Sequence, residues 1–354
     1  MMKSKTLAKI VFLGSLALSL AAMPKAFAFG YGFGAGATGG TTPYVVTNLN
    51  DSGAGSFRTG VGTSGNDVTF AVSGTIVLQS ELSVASNVTI DGTTANITIT
   101  NNTVSLSGSH NIIIKNIRFR EGEAGGSGKC SLQGAPYSNV MIDHCSIELG
   151  RWDCFEATSG SSLVTVQYCI IGQGIDPQYF GALMDADSNL TLHHNLWIDN
   201  NDRNPKLEAN SQYINNVVYN WIDAGGLEGS HSKAAWKSDI IGNYFIKGPL
   251  SSNNNWAFDC NGNDQWFYSG NYVDLNLNGT LDGSLLVSSN YTALGITTLT
   301  NQQYNPTPAV PVDTASTAVR EAVSGAWGCQ PLDAFDTTLL GYLKSYGTAG
   351  RKGP

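Results

Sequence analysis

An all-β chain wound as a parallel β-helix is the fold this sequence predicts, on three observations. An apolar-x-apolar run, two further residues, an Asn or Cys and another apolar pair recur over residues 140–147, 164–171 and 190–197. The marker positions Asn116, Cys145, Cys169, Asn195, Asn216, Asn243 and Asn271 are separated by 29, 24, 26, 21, 27 and 28 residues. A period in the twenties with alternating apolar positions marks a solenoid of strands, and no Leu sits at the fixed offsets that a leucine-rich repeat needs. The third observation is composition. Only 13% of the 354 residues are charged, and 31 Asn outnumber the 27 Asp and Glu. Gly, Asn, Thr, Ser, Val and Ile suit strands and tight turns. A coiled coil or a disordered polyelectrolyte needs far more charge or far fewer apolar residues.

The elements follow in order. Lys3, Lys5 and Lys9 precede an apolar run at 10–22, and Ala26-Phe27-Ala28 offers a small-x-small cleavage site. This predicts a secretory signal over 1–28 and a secreted or periplasmic chain; a 13-residue apolar run is too short to span a bilayer. One domain over 29–354 follows, with no membrane contact expected. Residues 30–42 and 301–311 read as irregular, and 56–61 as a short capping helix. The coils run to Asn271, and helices over 318–323 and 335–346 are placed against the side or rear of the coil. Asn and Cys at the repeated bend bond their stacked neighbours, so they are ladder residues rather than ligands, with Cys145 beside Cys169.

The charge balance bears on partners. Without the signal, 15 basic residues face 27 acidic ones, a net charge of −12, which argues against nucleic acid. Ten of the 15 lie between Lys115 and Lys247: Lys115, Arg118, Arg120, Lys129, Arg151, Arg203, Lys206, Lys233, Lys237 and Lys247. On a solenoid, matching coil positions share a face, so these bases are expected to form a groove for an acidic polymer. Six Cys permit disulfides without fixing a pairing, and the absence of a CxxC pair argues against zinc.

The chain resembles the pectate lyase family of polysaccharide lyases, whose fold is a right-handed parallel β-helix. The resemblance rests on Gly32-Phe33-Gly34-Ala35, Val46-Thr47-Asn48-Leu49-Asn50-Asp51-Ser52-Gly53 and Val140-Met141-Ile142-Asp143-His144-Cys145. It continues through His193-His194-Asn195, Arg203-Asn204-Pro205-Lys206, Ile214-Asn215-Asn216-Val217-Val218-Tyr219-Asn220-Trp221 and Ala334-Phe335-Asp336. The resemblance implies β-elimination on a galacturonate polymer: a base takes the C5 proton and the C4 oxygen leaves. Positive charge on the uronate carboxylate stabilises the transition state. Arg203 matches the family's base. Arginine is ordinarily always protonated, so Arg203 is expected as base or as essential cation.

Further site residues are Lys129, Arg151, Lys206 and His231 for substrate and Asp153 and Glu156 for Ca²⁺. The two acids stand three residues apart where the family spaces them by four, and the family's further aspartate falls near Lys129-Cys130. Ca²⁺ needs more oxygen ligands than these two supply. Either it binds with water and substrate completing its shell, or Lys129 or Arg151 does its electrostatic work. Glu208 stands where the family often has a substrate-binding Arg, so substrate preference is open. Asp143 and His144 read as a structural hydrogen-bonded pair. The expected function is a secreted lyase acting, as a monomer, on an acidic plant-type polysaccharide (polygalacturonate or pectin). The alternative is a non-catalytic β-helix that binds wall polysaccharide or serves adhesion.

Overall fold

The computed structural model describes residues 30–354, apart from 127, 187, 224, 230–233, 253–255 and 261. The N-terminal signal and His231 lie outside the described residues. Over the described residues the chain coils through three sheets of 11, 10 and 8 strands. Each coil lays a strand on the first sheet, a shorter one on the second and a third on the remaining face, as with Ser138–Asp143, Ser146–Glu148 and Asp153–Glu156. Neighbouring coils pair in parallel and in register: Val140 faces Ile112 on one side and Val164 on the other. This is the parallel β-helix that the period predicts. The antiparallel pairing described, Tyr272–Asp274 with Ser284–Leu285, comes where the coils end.

The interior is a column of apolar side chains, including Ile142, Val166, Leu192, Tyr213 and Ile240 stacked coil on coil. At the bend after the first sheet, Cys145 N–H donates to Cys169 Sγ at 3.4 Å and Cys169 N–H to Asn195 Oδ1 at 3.0 Å. The chain of bonds continues through Asn216, Asn243 and Asn271 at 2.8–3.1 Å and ends on the Tyr291 hydroxyl. All of these residues are buried, and the amides satisfy backbone groups that water cannot reach. Asn116 is a correction. Pairing of Lys115 with Asp143 puts Ile117 in the ladder row and Asn116 one position earlier. There it shares a left-handed backbone (φ 60°) with His144, Tyr168, His194 and Asn215. A shift of one residue exchanges interior and exterior on a strand, and the sequence spacing of 29 already strained the repeat.

The expected helices are present as Phe57–Val61, Ala315–Ser324 and Ala334–Lys344. The first starts at Ser56, whose side chain accepts from Thr59 N–H, and it buries Phe57 and Val61 at the front of the coil. The other two cover the second sheet, where Ile170, Leu196, Ile198, Val217 and Tyr219 turn outward to meet Ala318, Val319, Ala322, Leu339 and Leu343. Residues 30–42 cross the first sheet and include one short 3₁₀ turn, Phe33–Gly36. The six cysteines are all unpaired.

Candidate active site

The third sheet carries the charged residues singled out in the sequence. Asp153 pairs with Phe180, and Leu183 with Lys206, so counting back three residues sets Arg203 beside Phe180 on the next coil. A second column runs Glu156, Leu183, Lys206, Glu228 and Asp259. Strands about 4.8 Å apart put Asp153 and Arg203 roughly 10 Å apart along the backbone, and a long side chain spans the gap. The Arg203 guanidinium lies over the Phe180 ring at 4.0 Å and gives Nη1 to both Asp153 oxygens, at 3.1 and 3.3 Å. A guanidinium over an aromatic face and against a buried carboxylate is held in position. Trp152 meets the Phe180 ring edge-on at 6.5 Å.

The turn that delivers Arg203 is itself specified. Arg203 adopts φ 58°, a left-handed conformation uncommon for a non-glycine residue. Its carbonyl accepts from Ala182 N–H at 2.8 Å, and the Asp202 carbonyl accepts from Gly181 N–H at 3.1 Å. A Cβ on Gly181 would come within 2.3 Å of the Arg203 oxygen, so only glycine lets this turn close. Asn200 Nδ2 bonds Asn204 Oδ1 at 2.9 Å, and the Tyr213 hydroxyl donates to the Asn204 carbonyl at 2.9 Å, fixing the segment from below.

Asp153 and Glu156 do meet, despite their spacing of three. Cys154 and Phe155 both enter the core between them, and the two carboxylates and Cys130 Sγ offer ligand atoms within 4.8 Å of one another. Burial pushes the Asp153 carboxyl up, opposed by Arg203; burial also raises Glu156, which accepts hydrogen bonds from Cys130 and Asp153. Burial and the two carboxylates keep the Cys130 thiol protonated. Two crowded acids that must otherwise share a proton suit a hard divalent cation, whereas a protonated thiol adds no oxygen ligand. The donor set therefore fits Ca²⁺ through Asp153 and Glu156 alone, with its other ligands drawn from outside the protein.

The remaining bases are not gathered as expected. Arg118 and Arg120 sit on the second sheet, bound to Asp336 and Glu148, and Lys115 pairs with Asp91 on the first. Arg151 gives its guanidinium to the Asp176, Glu123 and Gly125 carbonyls at 3.0–3.2 Å. Lys129 reaches outward to Glu81 at 3.1 Å. Lys206 lies 3.5 Å from Glu228 and 3.9 Å from Glu208. The single basic groove is thus replaced by Arg203 and Lys206 within a mixed-charge strip, because equal spacing along the chain does not keep residues on one of three faces. Asp143 and His144 form the expected pair, at 2.9 Å, on a different face. Sequence reading missed Phe180, although its 27-residue offset from Asp153 lies within the repeat period. It also missed Asp202, whose Oδ1 is buried with no hydrogen-bond partner among the described residues and whose carboxyl burial pushes up to about 7.

Fold and site together define a parallel β-solenoid with a held guanidinium beside two paired acids, Asp153 buried and Glu156 half-buried, on one sheet. The same coil is found in jun a 1, the major allergen from cedar pollen, at a TM-score of 0.64 and 19% identity, covering 82% of this chain and 90% of that one. A pectate lyase bound to a hexasaccharide matches at a TM-score of 0.64 and 15% identity, covering 86% and 97%. The family model for pectate lyase matches residues 5–271. The probable pectate lyase C of Neosartorya fischeri is 38% identical over 312 residues, 87% of this chain and 73% of the relative. This chain belongs to the pectate lyase family.

Proposed function

We propose that this protein cleaves a galacturonate-type polymer, pectate or pectin, by β-elimination, with Arg203 as base or essential cation at the reacting sugar. The observation that carries the reading is the Arg203 guanidinium, pinned between Asp153 and the Phe180 ring with 17% of its side chain exposed. In the reaction the C5 proton passes to a base, its electrons form the C4–C5 double bond, and the C4–oxygen bond breaks. The leaving oxygen then takes a proton. A positioned cation on the uronate carboxylate lowers the cost of charge that builds up as C5 loses its proton. The guanidinium is engaged by both Asp153 oxygens, so its use as a base requires Asp153 to release it. Lys206 stands one coil position along and offers the neighbouring sugar carboxylate a second cation, shared with Glu228 and Glu208.

Asp153 and Glu156 are the residues that would hold Ca²⁺, and the ion's contribution is positive charge for a uronate carboxylate. The contacts of Arg151 and Lys129 weigh against either taking that role: the first is committed to three carbonyls and the second to Glu81. Relatives named as pectate lyases support the substrate class, as does a related structure that holds trigalacturonate. We infer export from the N-terminal charge, apolar run and cleavage pattern, and among the described residues no helix is long and apolar enough to cross a membrane. The capping of the front coil by Phe57–Val61 supports a monomer.

The test is to supply polygalacturonate or methylated pectin, with Ca²⁺ or chelator, and follow the ultraviolet absorbance of unsaturated product. Arg203→Lys keeps a charge but loses the planar fork, and kcat should fall by roughly 10³-fold or more with the melting curve preserved. No product on any uronate polymer defeats the lyase reading in favour of a binding protein. Turnover by Arg203→Lys within tenfold of the parent removes Arg203 from the chemistry.

A further inference from the structure

The bend between the first and second sheets carries a line of polar side chains that the lyase chemistry does not use. Tyr31 N–H donates to Gln167 Oε1 at 3.2 Å, and Gln167 Nε2 donates to Asp143 Oδ1 at 2.7 Å. A backbone donor on one side and a carboxylate on the other fix which end of the amide is oxygen. From Gln167 Oε1 the line continues to His193 Nε2 at 3.1 Å. His193 Nδ1 then meets His194 Nδ1 at 2.9 Å, and His194 Nε2 meets Asp313 Oδ2 at 3.2 Å.

These three contacts begin and end on an oxygen that accepts, so each needs a hydrogen. Two neutral imidazoles carry two. Once His193 Nε2–H serves Gln167, His193 Nδ1 accepts from His194 Nδ1–H, and His194 Nε2 turns a bare lone pair to Asp313. The line is short of one cation at that last contact. A third proton on the rings would charge a pair whose members are 0% and 1% exposed, away from the water that stabilises an imidazolium.

Two observations point to a metal ion rather than a proton. A proton bridges two atoms, whereas a third group converges here. A Glu321 carboxylate oxygen, His194 Nε2 and an Asp313 oxygen lie within 4.8 Å of one another, and among the described residues the Glu321 carboxylate has no hydrogen bond or ion pair of its own. The 3.2 Å contact is also longer than the about 2.7–2.9 Å of a charge-assisted N–H···O bond. At zinc bond lengths of about 2.0–2.2 Å, ligand atoms 3.2 Å apart subtend about 100°, close to tetrahedral.

We propose that His194, Asp313 and Glu321 form a site for a zinc-type divalent metal, with water as fourth ligand, separate from the catalytic face. An imidazole nitrogen with two carboxylates is a zinc donor set, and the missing CxxC pair bears only on thiolate sites. His194 gives its other ring N–H to His193, as a metal-bound imidazole ordinarily does to a neighbouring acceptor. Asp313 keeps 40% of its side chain exposed, which gives the ion a way in, and the half-buried Glu321 closes the shell by side-chain rotation. The ion joins three stretches of chain. They are the coil at His194, the strap at Asp313 whose N–H and carbonyl clasp the Asn215 side chain at 2.8 and 2.9 Å, and the helix Ala315–Ser324 at Glu321. Zinc thereby locks the covering helix onto the coil.

Mature protein, stripped with chelator and then held in excess Ca²⁺ to fill the catalytic face, is titrated with Zn²⁺ in a calorimeter. A single equivalent should bind, and it should survive in Glu156→Gln, which alters the cluster of Cys130, Asp153 and Glu156. Glu321→Gln keeps the side-chain shape and gives up no described hydrogen bond, so it should fold like the parent. It should nevertheless bind Zn²⁺ at least tenfold more weakly, as should Asp313→Asn. Co²⁺ in place of Zn²⁺ should give the ligand-field bands of a four-coordinate ion without thiolate charge transfer. Zn²⁺ should raise the melting temperature of the parent more than that of Glu321→Gln. An affinity unchanged in Glu321→Gln, or lost in Glu156→Gln alone, overturns the proposal. A parent that binds no Zn²⁺ overturns it as well and leaves a proton as the cation on the line. None of these outcomes depends on lyase turnover.

Discussion

Asn216→Ala removes the middle rung of the amide ladder, and the structure sets what this costs. The Asn216 Oδ1 accepts from Asn195 N–H at 3.1 Å, Asn195 Nδ2 at 3.0 Å and Trp197 Nε1 at 3.4 Å. Its Nδ2 donates to the Leu192 carbonyl at 2.9 Å. Asn195 Nδ2 keeps a second acceptor in the Val166 carbonyl, and Asn243 Oδ1 still receives the residue-216 backbone N–H. That leaves the Asn195 N–H and the Leu192 carbonyl contact as the main losses, with the Trp197 N–H a weaker third, all at fully buried positions. At about 1–3 kcal/mol for each unsatisfied buried group, the total is about 3–6 kcal/mol, a large share of a domain's about 5–15 kcal/mol. Cys169→Ala is the internal control, since its sulfur accepts from Cys145 N–H at only 3.4 Å and should cost about 1–2 kcal/mol. Urea unfolding followed by circular dichroism reads both. If Asn216→Ala loses less than about 1 kcal/mol, or no more than Cys169→Ala, the ladder does not support the coil as argued.

Two further outcomes follow from buried charge. Arg118 is fully buried and binds Asp336 at 2.8 Å, Asn96, the Cys329 carbonyl at 2.9 Å and the Pro331 carbonyl. Arg118→Met should cost about 3–5 kcal/mol and expose the C-terminal helix to limited proteolysis; a protease-resistant variant with parental stability would contradict this. Asp202 titrates near 7 in the folded chain against 3.8 for an ordinary carboxyl. A raised carboxyl favours folding while protonated, so that contribution is complete below about pH 4 and is lost as pH rises through 7. Asp202→Asn, which cannot ionise, should therefore gain stability relative to the parent between pH 5 and 8. A pH-independent difference in the unfolding curves would show that the shift is not real.

Much of the fold was legible because a solenoid is nearly one-dimensional. Each coil meets its neighbours, so Cys145, Cys169, Asn195, Asn216, Asn243 and Asn271 expose the stacking in their spacing alone. The site was legible only where it is local. Arg203, Asp153 and Glu156 were readable through the resemblance of their local motifs to the pectate lyase family. Phe180 was not, because an aromatic residue near the repeat period looks like core until its register with Asp153 is known. The capping helices were visible from their composition, but the clasp of Arg118 and Arg120 onto Asp333 and Asp336 spans more than 210 residues of chain. No periodicity reports such a pairing.

By itself, then, the sequence determined the coil, its buried ladder, its caps and the scarcity of charge that goes with them, because each depends on neighbours one repeat away. Tertiary structure decided which of three faces each charge occupies. It dispersed the central bases among the described residues over separate faces and paired most with acids or carbonyls. It bent the strand at Cys154 and Phe155 so that Asp153 and Glu156 meet, and it laid Arg203 across Phe180. The physical reason is geometric: turns of unequal length separate the sheets, so a residue's face depends on where each turn ends. A shift of a single position, as at Asn116, is enough to move a side chain off the ladder row.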